Sequence, residues 1–488
     1  MNLEVTPITR LPNEMLGAIF DIYVVQWVYR KGHKNAVLLL AYTQVCRWWR
    51  SVALSSPRLW RYIDVCQPKL AMLSLARSRT LMPLSVVSSP GERLPLDWVP
   101  LHPHAARICE IDIDLWHFDL QRVLSGIGYS HPNLTSLRLI SRRRKDMDQD
   151  VELYCDLPSL RRLSLDGVGL RWSSLTGLTH LSLYGLCVAH APSMLEIHSV
   201  LRNSPRLESL TLAFLVRTPS MGHYDRRQII ELPRLSEVYL CLCPVFTSSL
   251  LAGLSIPPSA QLRVGSFSAH DGFLSVFPKA EGTPYPHLRT TKHSTLSIRL
   301  REIFLHQSNT SPFADASSKP ELVIDMPHPT PAYAWMLSDV PRLFDLFALV
   351  TLELDIIWAV DVENLAAALY ALLTATPNIR TLRASQHGAE CLSMVLGRPG
   401  SDRLEFDVIC PSLTRLSFGA PDQMWWDFPL RWLKPLLDCL KERAACTGTR
   451  LQTIEFLGQG RIEKKSAQAL APFVEKIVDS VSTGRSRW

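Results

Sequence analysis

Through most of the chain, apolar residues recur as Leu-x-x-Leu-x-Leu or a close variant, with polar residues between them. "HPNLTSLRL" supplies Leu134, Leu137 and Leu139, and "LPSLRRLSL" supplies Leu160, Leu163 and Leu165. "LTGLTHLSL", "SPRLESLTL" and "LPRLSEVYL" repeat the pattern from Leu178, Leu207 and Leu235. Further copies are "ARICEIDI" at 106–113, "LVTLEL" at 349–354, "TPNIRTLRA", "CPSLTRLSF" and "TRLQTIEF". The alternation at the end of each copy predicts a strand with one buried face. The first leucines at 134, 160, 178, 207 and 235 lie 26, 18, 29 and 28 residues apart. Apart from the step of 18, that spacing fits a repeating strand-plus-helix unit of roughly 20–29 residues. Several copies carry a proline two residues before the first leucine, which predicts an end to the preceding helix and a start to the strand. "MLEIHSVLRNS" at 194–204 and "NLAAALYALLTAT" at 364–376 read as helices between copies.

One such unit cannot bury its own apolar face, whereas stacked neighbours bury a shared one. The pattern is similar to that of leucine-rich repeats. The resemblance implies an α/β solenoid, a horseshoe with a parallel sheet on its concave side, over 101–488. An ordinary α/β domain whose strands begin with Pro-x-Leu is the alternative. The ends of a solenoid need covering. "KLAMLSLARSRTLMPLSVV" at 69–87 reads as a helix then a strand, a junction and first capping unit within 67–100. "LAPFVEKIVDSV" at 470–481 places Leu470, Phe473, Val474, Ile477, Val478 and Val481 on one side of an expected amphipathic capping helix. The pattern degrades over about 266–345, where proline- and serine-rich pieces predict an irregular insertion, with strands at "STLSIRL" and "ELVIDM".

Residues 5–66 follow a different period. Leu16, Ile19, Phe20 and Tyr23 fall at helical spacing and predict one apolar face, with Pro12 and Glu14 suited to the first turn. "WVYRKGHKN" interrupts the pattern. A second helix is expected through Leu38, Ala41, Tyr42, Val45, Trp49 and Val52, stopped by "SSP" at 55–57 and followed by a short closing element in "RLWRYIDV". Trp48 and Trp49 point about 100° apart on such a helix, so a single buried stripe cannot easily hide both. Either Trp49 packs inside and Trp48 serves another surface, or both rings are buried against the following domain.

"LPNEMLGAIF" and "VCRWWRSVALSSPRLW" together resemble the F-box motif, through Leu11, Pro12, Glu14, Leu16, Ile19, Phe20, Val45, Cys46, Trp49, Pro57, Leu59 and Trp60. The doubled tryptophan and the "SSPRLWRYIDV" ending are like those of F-box proteins from mushroom-forming fungi. The long "YVVQWVYRKGHKN" departs from the motif and implies an inserted loop. The resemblance implies a three-helix F-box that docks a Skp-family adaptor and, through it, a cullin. It also implies that Leu11, Pro12, Leu16, Ile19, Val45 and Trp48 form or support that dock.

Composition narrows the remaining classes. The chain has 488 residues, 47% hydrophobic and 20% charged, which is ordinary for a globular protein. A net charge of +7 from mixed acidic and basic residues does not argue for nucleic acid. The N-terminus lacks the pattern of a secretory signal, and no apolar run is long enough to span a bilayer. Eleven scattered cysteines without CxxC pairs argue against a metal site and for a reducing compartment, cytoplasm or nucleus. Cys241 and Cys243 are expected on one strand face as small buried hydrophobes.

Residues between the leucines should line the concave face, and the client-binding candidates there are Arg138, Arg162, His180, Tyr239, Arg383 and Arg415. Over the strand positions identified, arginines outnumber carboxylates four to two, which suits an acidic or phosphorylated partner. "SRRRK" at 141–145 is either an import signal or a charged loop. "LHPH" at 101–104 reads as a loop, and Asp112 and Asp114 as surface carboxylates. No P-loop, GxGxxG, GxSxG or HExxH is present, and no cofactor, metal or catalytic residue is expected. The function expected is that of a non-enzymatic client receptor in an SCF-type cullin–RING ubiquitin ligase. The alternative is a repeat scaffold that acts outside any ligase.

Overall fold

A computed structural model gives the three-dimensional structure. It describes residues 11–30, 38–88, 92–96, 101–127, 130–142, 151–186, 190–213, 229–257, 259–266, 277, 295–299, 302–306, 322–325, 337, 339–341, 346–355, 362–396, 409–419, 433–458 and 464–481. The chain divides into two compact units, Met1–Leu235 and Ser236–Trp488.

The first unit opens with three helices, α1 (Asn13–Arg30), α2 (Leu38–Val45) and α3 (Arg47–Ser55), followed by a 3-10 turn over Pro57–Arg61. The single helix expected through Leu38–Val52 is therefore two. Cys46 has an extended backbone (φ −157°, ψ 171°) and caps α3, its Sγ accepting from the Trp49 N–H at 3.4 Å. Two short helices can turn Tyr42 and Trp49 inward together. α1 also runs further than expected, to Arg30. The rest of the expected inserted loop, 31–35, lies outside the described residues.

A parallel sheet follows: β1 (Tyr62–Asp64), β2 (Leu84–Val87), β3 (Ile108–Trp116), β4 (Ser136–Arg142), β5 (Arg162–Asp166), β6 (His180–Tyr184) and β7 (Ser209–Ala213). Each strand pairs in parallel with the next in chain order. Parallel neighbours need crossovers. Helices α4 (Pro68–Arg77), α5 (His117–Ile127) and α6 (Met194–Arg202) lie in three of them. The register lines up Ile111, Leu137, Leu163, Leu181 and Leu210 in one column and Ile113, Leu139, Leu165, Leu183 and Leu212 in the next, all buried.

The prolines before the strands do more than stop helices. In "HPNL", "LPSL", "SPRL" and "LPRL" the leucine N–H bonds back to the carbonyl three residues earlier, at 3.2, 3.3, 3.0 and 3.1 Å. The same turn recurs in the second unit, where Ile379 bonds to Thr376 and Leu413 to Cys410. Proline stands second in each of these turns, where its fixed φ is preset for the bend.

In the second unit, β8 (Glu237–Leu242), β9 (Gln261–Ser266), β13 (Thr351–Asp355), β14 (Thr381–Ala384), β15 (Arg415–Phe418), β16 (Leu451–Gly458) and β17 (Val474–Val481) are likewise parallel. Helices α7 (Pro244–Ala252), α8 (Val362–Thr374), α9 (Gln386–Leu396) and α10 (Leu433–Thr447) connect them, with a short α11 (Lys464–Leu470) before the last strand. Between β9 and β13 the order inverts. β10 (Thr295–Arg299), β11 (Glu302–His306) and β12 (Leu322–Asp325) enter in reverse, with β12 beside β9, β10 beside β13, and β11 antiparallel to both of its neighbours. The expected irregular insertion thus contributes to the sheet. The two strands expected there exist and a third joins them, and the register aligns Leu262, Leu322, Leu305, Leu296 and Leu352. Most of the serine-rich part of the insertion lies outside the described residues.

The C-terminal expectation is corrected. Val474–Val481 is a strand paired with β16, not a capping helix. Its Val, Ile and Val side chains suit a strand, and an open parallel edge outweighs the weak helical stripe. Cys243 ends outside β8 as the residue that starts α7, so it does not share a strand face with Cys241. "LHPH" belongs to a 3-10 helix over His102–Arg107.

Candidate functional site

α1 is apolar on two sides. Leu16, Phe20 and Val24, spaced by four, are buried at 0%, 1% and 4% exposure. Met15, Ile19, Ile22 and Tyr23 are 54%, 45%, 60% and 45% exposed. With Pro12, also exposed, they follow a second stripe at 12, 15, 19 and 22. At 100° per residue the two stripes together span roughly 200° of the helix. A helix apolar over that much of its surface normally has partners on both sides.

The inner stripe has its partners within the chain. Leu16, Phe20 and Val24 share one core with Val52, Ala53, Leu59, Trp60, Tyr62, Leu70 and Val87. Strands β1 and β2 and helix α4 therefore complete the helical module. The Trp60 indole donates to the Ala53 carbonyl at 2.9 Å, and the Arg77 guanidinium lies 5.0 Å from its ring centroid. Phe20 stacks on Tyr42 at 4.4 Å, and Trp49 tilts against Phe20 at 4.9 Å. Burial, with Tyr23 nearby, pushes the Tyr42 phenol up to about 12, so it stays neutral.

The six residues expected to dock an adaptor divide. Pro12, Ile19 and Val45 are exposed, Val45 at 59%, and Leu11 is half-buried. Leu16 is fully enclosed, so within this set it can support the dock by holding α1 in place but cannot itself meet a partner. Trp48 and Trp49 are both half-buried, so neither simple division of the two rings holds. Trp49 faces the aromatic core, while the Trp48 indole Nε1 donates to Asn13 Oδ1 at 2.7 Å. Sequence reasoning missed Met15 and Ile22, although the 12-15-19-22 spacing carries them.

The sheet face between the leucines is polar but largely self-neutralised. Arg138 pairs with Asp112 at 2.9 Å, Arg383 with Glu353 at 2.9 Å, and Arg415 with Glu455 at 2.6 Å, which also accepts from Ser417 at 3.0 Å. Arg162 is exposed, with Ser136 and His180 as its register neighbours, and makes no ion pair among the described residues. Tyr239 lies under Arg263, 5.4 Å from guanidinium to ring centroid. The expected excess of arginine over carboxylate is thus corrected, because Asp112 and Glu353 sit on strands whose facing positions were not counted. Asp112 and Asp114 are mostly buried ion-pair partners rather than free surface carboxylates. Of the basic stretch at 141–145, Ser141 and Arg142 end β4, and 143–145 lie outside the described residues.

Three thiols are held protonated by burial, whereas Cys46 and Cys446 are exposed. Burial pushes Cys155, Cys410 and Cys439 each up to about 12. Among the described residues no group of three His, Cys, Asp or Glu is placed to hold a metal.

The helical module thus has a closed inner face and an open outer one. An F-box-like family model matches residues 8–66, so this part of the chain is an F-box-like domain. No curated protein matches the chain.

Proposed function

We propose that the protein is a substrate-recognition subunit of an SCF-type cullin–RING ubiquitin ligase. The F-box-like domain docks a Skp-family adaptor, the adaptor links it to a cullin, and the sheet-bearing remainder holds a client protein. The observation that carries this reading is the exposed stripe Pro12, Met15, Ile19 and Ile22 on a helix whose other side is already sealed. Covering one large apolar side chain is worth about 1.5–3 kcal/mol when burial is complete. Three such anchors on one helix are enough for a specific helical interface.

The remainder reads as degenerate leucine-rich repeats, supported by the recurring proline turn and the parallel strands. No step of chemistry is assigned to the chain. Its mechanism is tethering, which raises the local concentration of client lysines near the ligase's catalytic parts. Such a receptor works in the cytoplasm or nucleus. Affinity capture of the tagged chain tests the proposal. Adaptor and cullin are expected together, and Leu11→Ala with Pro12→Ala should reduce both. Recovery of adaptor without cullin would favour the other reading, a scaffold that acts outside a ligase.

A further inference from the structure

We propose that the polar face of β5–β7 binds an extended client segment through an anionic side chain held at Arg162. The inference deepens the reading of the sheet-bearing remainder as a client holder, and rests on it.

Arg162 opens β5, with Ser136 of β4 and His180 of β6 beside it in register. Neighbouring strands lie about 4.8 Å apart, and Ser164, two residues along β5, lies about 6.6 Å away. Both serines and the imidazole therefore surround a group seated on the guanidinium. No carboxylate stands in these positions. Asp112 is held by Arg138 at 2.9 Å, and Glu110 accepts from Ser85 at 3.1 Å. Asp166 ends β5, about 13 Å along the strand from Arg162. Further across, Ser182, Ser209 and Thr211 are half-buried. These three hydroxyls, like those of Ser136 and Ser164, make no hydrogen bond among the described residues. The second unit is the contrast. There Arg383 bonds Glu353, while Arg415 and Ser417 share Glu455.

His180 sets the polarity of the ligand. Its Nδ1 lies 2.9 Å from Thr179 Oγ1, which itself donates to the Arg161 carbonyl at 3.1 Å. A hydroxyl has one proton, so Nδ1 carries the hydrogen, and in its neutral form the ring leaves Nε2 as an acceptor. The patch thus offers a guanidinium and hydroxyls to oxygens, and one acceptor to an N–H. That set complements a polypeptide with one anionic side chain rather than a bare ion. Phosphoserine and glutamate share the chemistry, and the phosphate can take more of the surrounding donors.

The test passes the purified, labelled full chain over three arrays of short peptides with random flanks. Their fixed central residue is phosphoserine, glutamate or serine. The anionic centres are expected to retain more chain than serine does, and the stronger of the two identifies the group. Arg162→Ala should weaken that retention about tenfold, the scale of one charge-assisted hydrogen bond, and Ser164→Ala about threefold. Arg206→Ala removes an exposed arginine from the turn before β7 and should leave retention unchanged. Melting should be the same in all three variants, since none breaks an internal bond. Equal retention on the three arrays, no effect of Arg162→Ala, or an equal effect of Arg206→Ala would overturn the proposal. A chain that prefers anionic centres yet captures no adaptor would instead overturn the receptor reading beneath it.

Discussion

Arg142 grips Asp114 with two parallel contacts, Nε to Oδ1 at 2.6 Å and Nη2 to Oδ2 at 3.0 Å, from the strand next to that of the carboxylate. The arginine stays 40% exposed while the carboxylate is 12% exposed. Such a fork fixes both orientation and register. The Asp114 carboxylate holds the Arg142 guanidinium above its ordinary pKa.

Removing the exposed partner strands the enclosed one. Arg142→Ala is expected to destabilise the first unit by about 1–2 kcal/mol, since it leaves a mostly buried carboxylate without its fork. Arg142→Ala with Asp114→Asn should recover part of that loss. Urea unfolding followed by circular dichroism measures both. Equal cost for the single and double variants would show that the pair does not hold the sheet.

The two sides of α1 predict opposite phenotypes. Leu16→Ala opens a cavity in the shared core and should cost about 2–5 kcal/mol of stability. Ile19→Glu with Ile22→Glu alters only exposed positions, so melting should stay close to that of the unmodified chain. Adaptor capture, by contrast, should be lost. A double Glu variant that still captures adaptor would place the interface elsewhere.

Much of this arrangement was legible in the sequence because its causes are local. A Pro-x-Leu turn and an alternating strand are written within about nine residues, so the strands at Leu137, Leu163, Leu181 and Leu210 could be read directly. The motif around Leu11–Phe20 and Val45–Trp60 marked the helical module for the same reason. The register of neighbouring strands was not legible. Arg138 finds Asp112 26 residues back in the chain, and Arg415 finds Glu455 40 residues ahead. A count of charges over one set of strands therefore missed the partners. The two sides of α1 were merged because Leu16, Ile19, Phe20 and Tyr23 fit one broad arc, and only packing decides which part is covered. Val474–Val481 fits a helix and a strand about equally by period, and the free edge of β16 decides between them.

Val87 couples the helical module to the sheet. It sits in β2 yet belongs to the core of Leu16, Phe20 and Trp60. Val87→Ala should therefore cost about 1–3 kcal/mol and raise hydrogen exchange in α1, which lies 57 to 74 residues earlier in the chain. Exchange that rises in β2 and β3 while α1 stays protected would show two independently stable parts.

His198 predicts the acid limit of the first unit. It lies in α6 at 4% exposure, and burial, reinforced by the charge of Arg202, lowers its pKa from 6.5 to about 4. In the unfolded chain the imidazole takes a proton near pH 6.5, whereas in the folded chain it resists until about pH 4. Between those values the unfolded state binds more protons, so stability falls as pH falls and is unaffected by this group above about pH 7. The full difference corresponds to at most about 3.4 kcal/mol. His198→Phe removes the titration, so urea midpoints between pH 7 and pH 4.5 should decline less steeply in that variant. Carboxylates contribute to both proteins alike, which makes the difference in slope the diagnostic quantity. Parallel declines would mean that the imidazole titrates equally in both states and is not enclosed.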